Sequence, residues 1–299
     1  MNNISEQVLL PGLSVVIPCF NSDATIRSAI RSAWECGAQE VIVVDDGSTD
    51  GSLSSALNLS ATVIKQENAG PALARAAGLR KVTYGQVILL DADDTLIPEG
   101  INALRSALSQ VQNVTGVVGR TRYLVNDKLE RVLTPTTGPL DLAELISNGR
   151  PPGPPACAVW DTRALILAGL SEAPEPRTYH SEDYSFFLSV AAFGTIIVTD
   201  IECCNYTAGT GRSSKNLELG MSDAEKIQKY YSELFGIPFR KKNRCEVKSL
   251  VFHRIYYELP KKEIFSRVKY LSFAIFLDPM RYVKASLARL KRSVPWTKK

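Results

Sequence analysis

Twice in this chain an apolar run ends abruptly in carboxylates, and these are the residues whose types and spacing could do chemistry. Val41-Ile42-Val43-Val44 ends in Asp45-Asp46-Gly47-Ser48, and Val87-Ile88-Leu89-Leu90 ends in Asp91-Ala92-Asp93-Asp94. An uninterrupted run rich in β-branched residues reads as a strand covered on both faces, hence part of a parallel sheet. In open α/β sheets, ligands lie just beyond the carboxyl ends of the strands. The acids therefore stand where a ligand would bind. Three carboxylates at Asp91, Asp93 and Asp94 repel one another. A hard divalent cation carried in by a phosphate-bearing ligand would relieve that repulsion.

Such acids need elements to hold them, and the sequence supplies a regular alternation. Leu13-Ser14-Val15-Val16-Ile17-Pro18 reads as a first strand. Asn21 or Ser22 can cap a helix over about 23–36, with Ile26, Ala29, Ile30 and Ala33 as its apolar stripe and Gly37 as its stop. A strand over 41–45, a short helix capped by Asp50 and a strand over 61–65 come next. The turn Asn68-Ala69-Gly70-Pro71 leads into a helix reaching about Arg80, with Pro71 in its first turn. A strand over 87–90 carries the second acid cluster, and a helix follows over about 98–110. This alternation is that of a doubly wound α/β half.

Beyond it the pattern changes. Val117-Val118-Gly119 and Tyr123-Leu124-Val125 read as strands, with Asn126-Asp127 as a turn. Pro151-Pro152-Gly153-Pro154-Pro155 is a strong breaker that suits a loop over the ligand crevice. Ala156 to Trp160 reads as a strand, Thr162 to Ala168 as a short helix and Thr195 to Val198 as a further strand. Between them Ser181 can cap a helix that opens with Glu182-Asp183 and carries Phe186, Phe187 and Val190. From about Ser222 onward the pattern is helical and basic.

Composition bounds the rest. The 299 residues suit one large domain with an appendage or two small ones, and 45% hydrophobic with 22% charged residues is ordinary globular composition. Six cysteines show no Cys-x-x-Cys spacing, and with His180 and His253 as the two histidines a zinc site is disfavoured. Scattered cysteines fit a reducing compartment. Met1 to Leu10 lacks a charged segment followed by an apolar one, as a signal peptide would have. No apolar run approaches the roughly 18–20 residues that span a bilayer. A soluble or peripheral cytoplasmic protein is therefore expected. Residues 1–220 hold 16 Lys and Arg against 24 Asp and Glu, whereas residues 221–299 hold 19 against 7. The division is drawn there, and a basic tail on an acidic body suggests an anionic partner, lipid headgroups or nucleic acid.

Five segments fall in one order: Val16 to Asn21 (VIPCFN), Val44 to Ser52 (VDDGSTDGS), Asn68 to Gly78 (N-x-G-x-x-x-A-R-x-x-G), Asp91 to Asp94 (DADD), and, about ninety residues on, Glu182-Asp183-Tyr184. In this order the chain resembles the inverting glycosyltransferases of family 2, over roughly residues 12–215. The resemblance implies a GT-A fold, a Rossmann-like, mostly parallel central sheet flanked by helices, here with a C-terminal basic helical extension. It implies a hexosyltransferase-like enzyme that moves a sugar from a nucleoside diphosphate, preferably a UDP-sugar, to the hydroxyl of a glycan or lipid-linked glycan. It also implies a role in bacterial cell-surface polysaccharide synthesis, at the cytoplasmic face of the membrane.

The roles carried over follow the same segments. Asp93 is the expected ligand of Mg²⁺ or Mn²⁺, with Asp91 as a ribose or outer metal partner and Ala92 between them. Asp183 is the expected general base, with Glu182 orienting or contacting the acceptor. Phe20, beside Pro18 and Asn21, stands where the family often has Tyr and would stack on the base. Asp46, with Asp45 nearby, would accept from the base's imide N–H. Asn68 and Gly70 form the turn below, Arg75 resembles the family arginine near the base, and Arg212 with Ser213 would reach the diphosphate. Ala76 replaces a common Asn, and residues 206–212 (YTAGTGR) lack the His or extra basic residue often found there.

Each of these features has a plainer reading. Asp45 to Asp50 suits a turn and helix cap. Asp94 is as well placed to cap the next helix as to bind. Glu182 and Asp183 could simply complement a helix dipole. His180 reads as a loop residue, Cys203-Cys204 as strand packing, Trp160 as core, and Phe20 as either core or stacking platform. In the tail, Asp278 can cap a helix from Pro279, with Met280, Val283, Leu287 and Leu290 on one face and Arg281, Lys284, Arg289, Lys291 and Arg292 elsewhere. That is the pattern of an interfacial helix on anionic lipid, preceded by a Tyr270–Leu277 stretch too short to span. The alternative is a packed helix with a solvated basic face. Rival functions are a nucleotidyltransferase, which would want a basic Gly-rich loop where Cys19-Phe20-Asn21-Ser22 stands, and a non-catalytic nucleotide-sugar or nucleic-acid binding module.

Overall fold

The computed structural model describes residues 8–125, 127–133, 135–172, 175–176, 178, 180–207, 217–258 and 263–283. Its first half follows the apolar runs: β1 (Leu10–Cys19), α1 (Ile26–Glu35), β2 (Glu40–Asp45), α2 (Ser52–Leu57), β3 (Thr62–Lys65), α3 (Pro71–Leu79) and β4 (Tyr84–Leu89). These strands pair in parallel in the order β3-β2-β1-β4. Val15 to Ile17, Val41 to Val44 and Val87 to Leu90 are all buried, as runs covered on both faces must be. The direction of strand addition reverses at β1, which opens the crevice where α/β sheets take ligands. Asp45 ends β2, and Asp91 follows β4 after Leu90.

The helices pack as their stripes require, with Ile26, Ala29, Ile30 and Ala33 of α1 buried. That helix starts at Ile26, later than the caps Asn21 or Ser22 would set it, and Thr25 occupies the N-cap without a side-chain bond. Asn21 is drawn elsewhere: at φ 48 its Oδ1 accepts from Thr49 N at 2.8 Å, tying the β1–α1 loop to the β2–α2 loop. In α3, Gly78 lies so close to Val16 that any side chain there would collide with it. This close approach holds α3, and with it Arg75, against the carboxyl end of the sheet.

The second half continues with β5 (Thr95–Leu96), α4 (Pro98–Gln110), β6 (Val114–Val125), β7 (Lys128–Leu133), β8 (Gly138–Leu140) and α5 (Leu142–Asn148). After a 3-10 turn at Pro155–Cys157 come β9 (Ala158–Asp161), α6 (Thr162–Leu167), α7 (Glu182–Ala191) and β10 (Thr195–Thr207). Here the sheet is mixed. β9 runs antiparallel to both β4 and β6, while β10 runs parallel to β6 and antiparallel to β5 and β8. The sheet is thus parallel through its first four strands and again between β6 and β10, with antiparallel pairing elsewhere. Trp160 of β9 is fully buried, donates to Pro155 O at 3.2 Å and meets the rings of Phe186 and Phe187 edge-on at 5.1 Å each. It is a core residue, and Cys203 and Cys204 are likewise buried within β10.

Three helices follow: α8 (Leu217–Phe235), α9 (Arg244–Glu258) and α10 (Ile264–Leu277). The chain forms two compact units, the first running through Phe239 and the second from Arg240, with the start of α8 grouped in the second. The change of charge at 220 is therefore not the packing boundary. Ile227 and Tyr231 of α8 are buried in the first unit, where Tyr231 OH lies 2.6 Å from Ser189 Oγ. In the second unit α9 and α10 cross where Ser249 Oγ donates to Ala274 O at 2.7 Å, with Phe252 against Tyr270 and Phe273. A break at Asp278 precedes a helical turn whose Arg281 N–H it accepts at 3.2 Å, the cap expected of it. Residues 284–299, and so most of the expected tail helix, lie outside the described residues. No described helix is long and apolar enough to cross a membrane.

Candidate active site

The β2 tip is a turn with a clamp. Asp45 Oδ1 accepts from Ser48 N at 3.0 Å, the plainer reading of this acid. Asp46 is only 2% exposed, and its oxygens accept from Gln66 Nε2 (2.8 Å), Ala69 N (2.8 Å) and Gly70 N (2.9 Å). As folded, Asp46 holds the loop before α3, with two donors on Oδ1 and one on Oδ2. Gly70 takes φ 90 with open space around its Cα, so backbone conformation rather than room calls for glycine. Asn68 is exposed on the same loop. Pro18 lies in β1 opposite Val44. Phe20 is 40% exposed at the end of β1, which excludes a core role and leaves an aromatic face open beside the crevice.

The β4 tip is a crowded acid turn. Asp94 N donates to Asp91 O at 3.1 Å, which puts Ala92 and Asp93 at the apex, Ala92 buried and Asp93 half-buried. Asp94 does not cap α4, whose N-cap is Ile97. It is buried, accepts from Thr207 N at 2.9 Å through Oδ1, and leaves Oδ2 without a partner. Burial first, then repulsion from Asp91 and Asp93, pushes its carboxyl well above the ordinary range. Tyr206 of β10 lies beside the same acids, and burial and their charge raise its phenol. Sequence reasoning gave Tyr206 and Thr207 no role. Their place in the strand just before the Gly-rich residues 209–211 was the one available signal.

Arg75 joins this tip to α7. Its Nη2 donates to Asp91 Oδ1 at 2.5 Å, and its Nη1 lies 3.7 Å from Asp183 Oδ1 and 4.0 Å from Glu182 Oε1. The guanidinium is buried, and the three carboxylates hold it in its charged form. Thus Arg75 has acids, not a base-binding pocket, as its partners. The start of α7 is fixed from below: Tyr184 OH donates to Leu145 O and Ser185 Oγ to Glu175 O, both at 2.8 Å. Ser181 occupies the N-cap but makes no side-chain cap bond. Asp183 keeps 36% of its side-chain surface exposed. Even so, the surrounding protein and then the Glu182 charge push its carboxyl up to about 7, against the lowering effect of Arg75. His180 is a loop residue whose backbone N–H donates to Asp223 at 3.1 Å.

Three of the five sequence segments thus meet in one cluster: Arg75, Asp91 with its neighbours, and Glu182-Asp183. Phe20 and Asn21 stand at the neighbouring β1 tip. Arg212 and Ser213 lie outside the described residues. No three described His, Cys, Asp or Glu side chains converge as a complete ligand set. Hard oxygen donors under mutual repulsion at the Asp91–Asp94 turn do fit a divalent cation that brings phosphate oxygens of its own.

Residues 14–151 match the family described as Glycosyl transferase family 2. The chain carries a glycosyl transferase family 2 domain. The match ends before Glu182 and Asp183. Among curated proteins, the undecaprenyl-phosphate 4-deoxy-4-formamido-L-arabinose transferase of Aeromonas hydrophila is 34% identical over 134 residues, 41% of this chain and 40% of that protein. The chain spans less than half the length of the curated relatives it matches. Among solved structures, S. aureus TarS 1-349 in complex with UDP-GlcNAc has a TM-score of 0.60 at 17% identity, covering 90% of this chain and 82% of TarS 1-349. Glucosyl-3-phosphoglycerate synthase from Mycobacterium tuberculosis, with Mn²⁺, UDP and glucosyl-3-phosphoglycerate, has a TM-score of 0.50 at 21% identity, covering 76% of this chain and 81% of that one. These likenesses show that the chain has the GT-A fold, a central sheet flanked by helices.

Proposed function

We propose that this chain transfers a sugar, with inversion, from a UDP-sugar to a hydroxyl of a glycan or lipid-linked glycan. The observation that carries the reading is Arg75, whose buried guanidinium gathers Asp91 and the Glu182-Asp183 pair into one site. Asp183 accepts the proton of the acceptor hydroxyl as its oxygen attacks the anomeric carbon. A carboxyl near 7 is both substantially ionised and basic enough for that task at neutral pH. Its partly exposed side chain leaves room for an acceptor, and Glu182 beside it orients the incoming alcohol. Attack opposite the departing diphosphate inverts the anomeric centre, and one base suffices because the diphosphate leaves without a proton. Mg²⁺ or Mn²⁺ would be held by Asp93, with Asp91 toward the ribose or the cation's outer contacts, and when bound supplies Lewis-acid neutralisation of the diphosphate. Phe20 offers a face for the uracil ring.

The UDP-bound neighbours support the donor class, and the Mn²⁺ in one of them supports the cation. The Aeromonas relative, by its name, acts on undecaprenyl phosphate. This supports a place in bacterial cell-surface polysaccharide assembly, such as O-antigen, capsule or exopolysaccharide, with the protein peripheral on the cytoplasmic face of the membrane. The Asp183→Asn variant tests the reading. Thermal stabilisation by UDP-sugar with Mn²⁺ should persist, since a ligand selective for the native state raises its stability, while sugar transfer collapses. Undiminished turnover would remove Asp183 as the base. Absence of donor stabilisation in the wild-type chain would point to the nucleotidyltransferase or nucleic-acid-binding alternatives, and donor stabilisation without any transfer by the wild-type chain to the nucleotide-sugar binding module.

A further inference from the structure

The second unit contains a helix turned inside out. On α10, the residues facing solvent are Ile264, Phe265, Val268, Lys269, Ser272, Phe273, Ile275 and Phe276, and at 100° per residue they fill one continuous half of the helix. Six of the eight are large and apolar, with Phe265 92% and Phe276 82% exposed. The opposite half packs on α9 through Tyr270 and Ala274, with Arg267 over the Tyr256 ring. Both faces of α10 are therefore apolar, a pattern that in water demands a cover on each side. Met280 and Val283, in the helical turn after Asp278, extend the exposed apolar surface.

Charge identifies the cover. The one charged residue on the exposed half of α10 is Lys269. From Lys261 to the end of the chain the sequence holds 11 basic residues and 2 acidic ones, Glu263 and Asp278. A second copy would meet this face with the same positive excess. A bilayer bearing anionic headgroups offers hydrocarbon to the phenylalanines and negative charge to the flanking lysines and arginines. We propose that the exposed half of α10, centred on Phe265 and Phe276, is the surface by which this chain docks on anionic lipid. This rests on the peripheral placement proposed above and names the element responsible. It adds α10 to the tail helix after Pro279, the element in which sequence alone placed the lipid contact and most of which lies outside the described residues.

The test uses the full chain floated with vesicles of phosphatidylcholine alone or mixed with phosphatidylglycerol. Wild type should float with the mixed vesicles, and added salt should weaken the binding. Phe265→Ser with Phe276→Ser should lower vesicle affinity by on the order of a hundredfold, and Lys269→Glu by about tenfold. Because these side chains lie in solvent, far-UV circular dichroism and the melting temperature should not move, which separates lost docking from lost folding. Wild type failing to float with mixed vesicles would overturn the peripheral placement itself, leaving the donor-binding test of the transfer reaction untouched. Wild type and double variant floating equally would overturn the α10 assignment alone. A lipid-free dimer that the double variant breaks, with no flotation, would make the face a self-interface and would also overturn the proposal.

Discussion

The crevice of the first unit and the outer face of α10 invert each other's rule. In the crevice, charged groups are drawn inward: Arg75 is buried among three carboxylates, and Asp94 is buried with one oxygen unpartnered. On α10, phenylalanines are pushed outward. Each arrangement is unfavourable in isolation, the first through desolvation and the second through apolar hydration. Each is understandable as one half of a contact. Buried charge prepares for a charged, hydroxylated ligand, whereas exposed hydrocarbon prepares for an apolar phase.

Substitutions can break or sharpen that contrast. The largest effect is expected at Asp183→Asn, where loss of a general base lowers kcat by about a hundredfold to ten-thousandfold, read by UDP release with saturating acceptor. In the wild-type chain the rate should climb with pH through about 7, because deprotonation makes the base competent; a profile flat from pH 5 to 9 would contradict the assignment. Arg75→Met comes next. Removing the cation leaves the acids unpaired, and because they are partly exposed the cost should fall below the full penalty of a buried pair, at about 1–3 kcal/mol of stability by denaturant titration. Since Arg75 lowers the Asp183 carboxyl, the rising limb of the pH–rate profile should move to higher pH in this variant.

Asp46→Ala strips two backbone N–H groups and Gln66 of their acceptor, and should cost about 1–3 kcal/mol. If Asp46 also served the base in the folded loop, donor affinity would fall well beyond what that loss explains. Phe20→Ala should have the smallest effect. An exposed aromatic contributes little to stability, within about 0.5 kcal/mol, while loss of base stacking weakens UDP binding by about 1–3 kcal/mol. Unchanged UDP affinity would remove Phe20 from the site.

Much of the scaffold was legible because local pattern dictates it. The β1, β2 and β4 runs and the α1 stripe each follow from the order of apolar residues, and the acids at the strand tips follow from the strands. What stayed hidden was decided by partners far away in sequence. Nothing near Asp94 announces that Thr207 N–H is its partner, and nothing near Asp46 announces that the β3–α3 loop needs three acceptor positions. The short β5 and β8 carry no run of their own and exist because β10 offers them an edge. The line at residue 220 fell inside α8, which holds four acidic and two basic residues and buries its face in the first unit, whereas the basic excess itself begins at Arg240, where the main stretch of the second unit starts.

The tether between Asp94 and Thr207 has a bearing on timing. It fastens the acid turn to the last residue of β10, at the threshold of the segment that contains Arg212. The turn that gathers negative charge is thereby held to the end of β10. A cation arriving there would alter the repulsion around Asp94, and the strand end it grips is the first part of the chain that would feel the change.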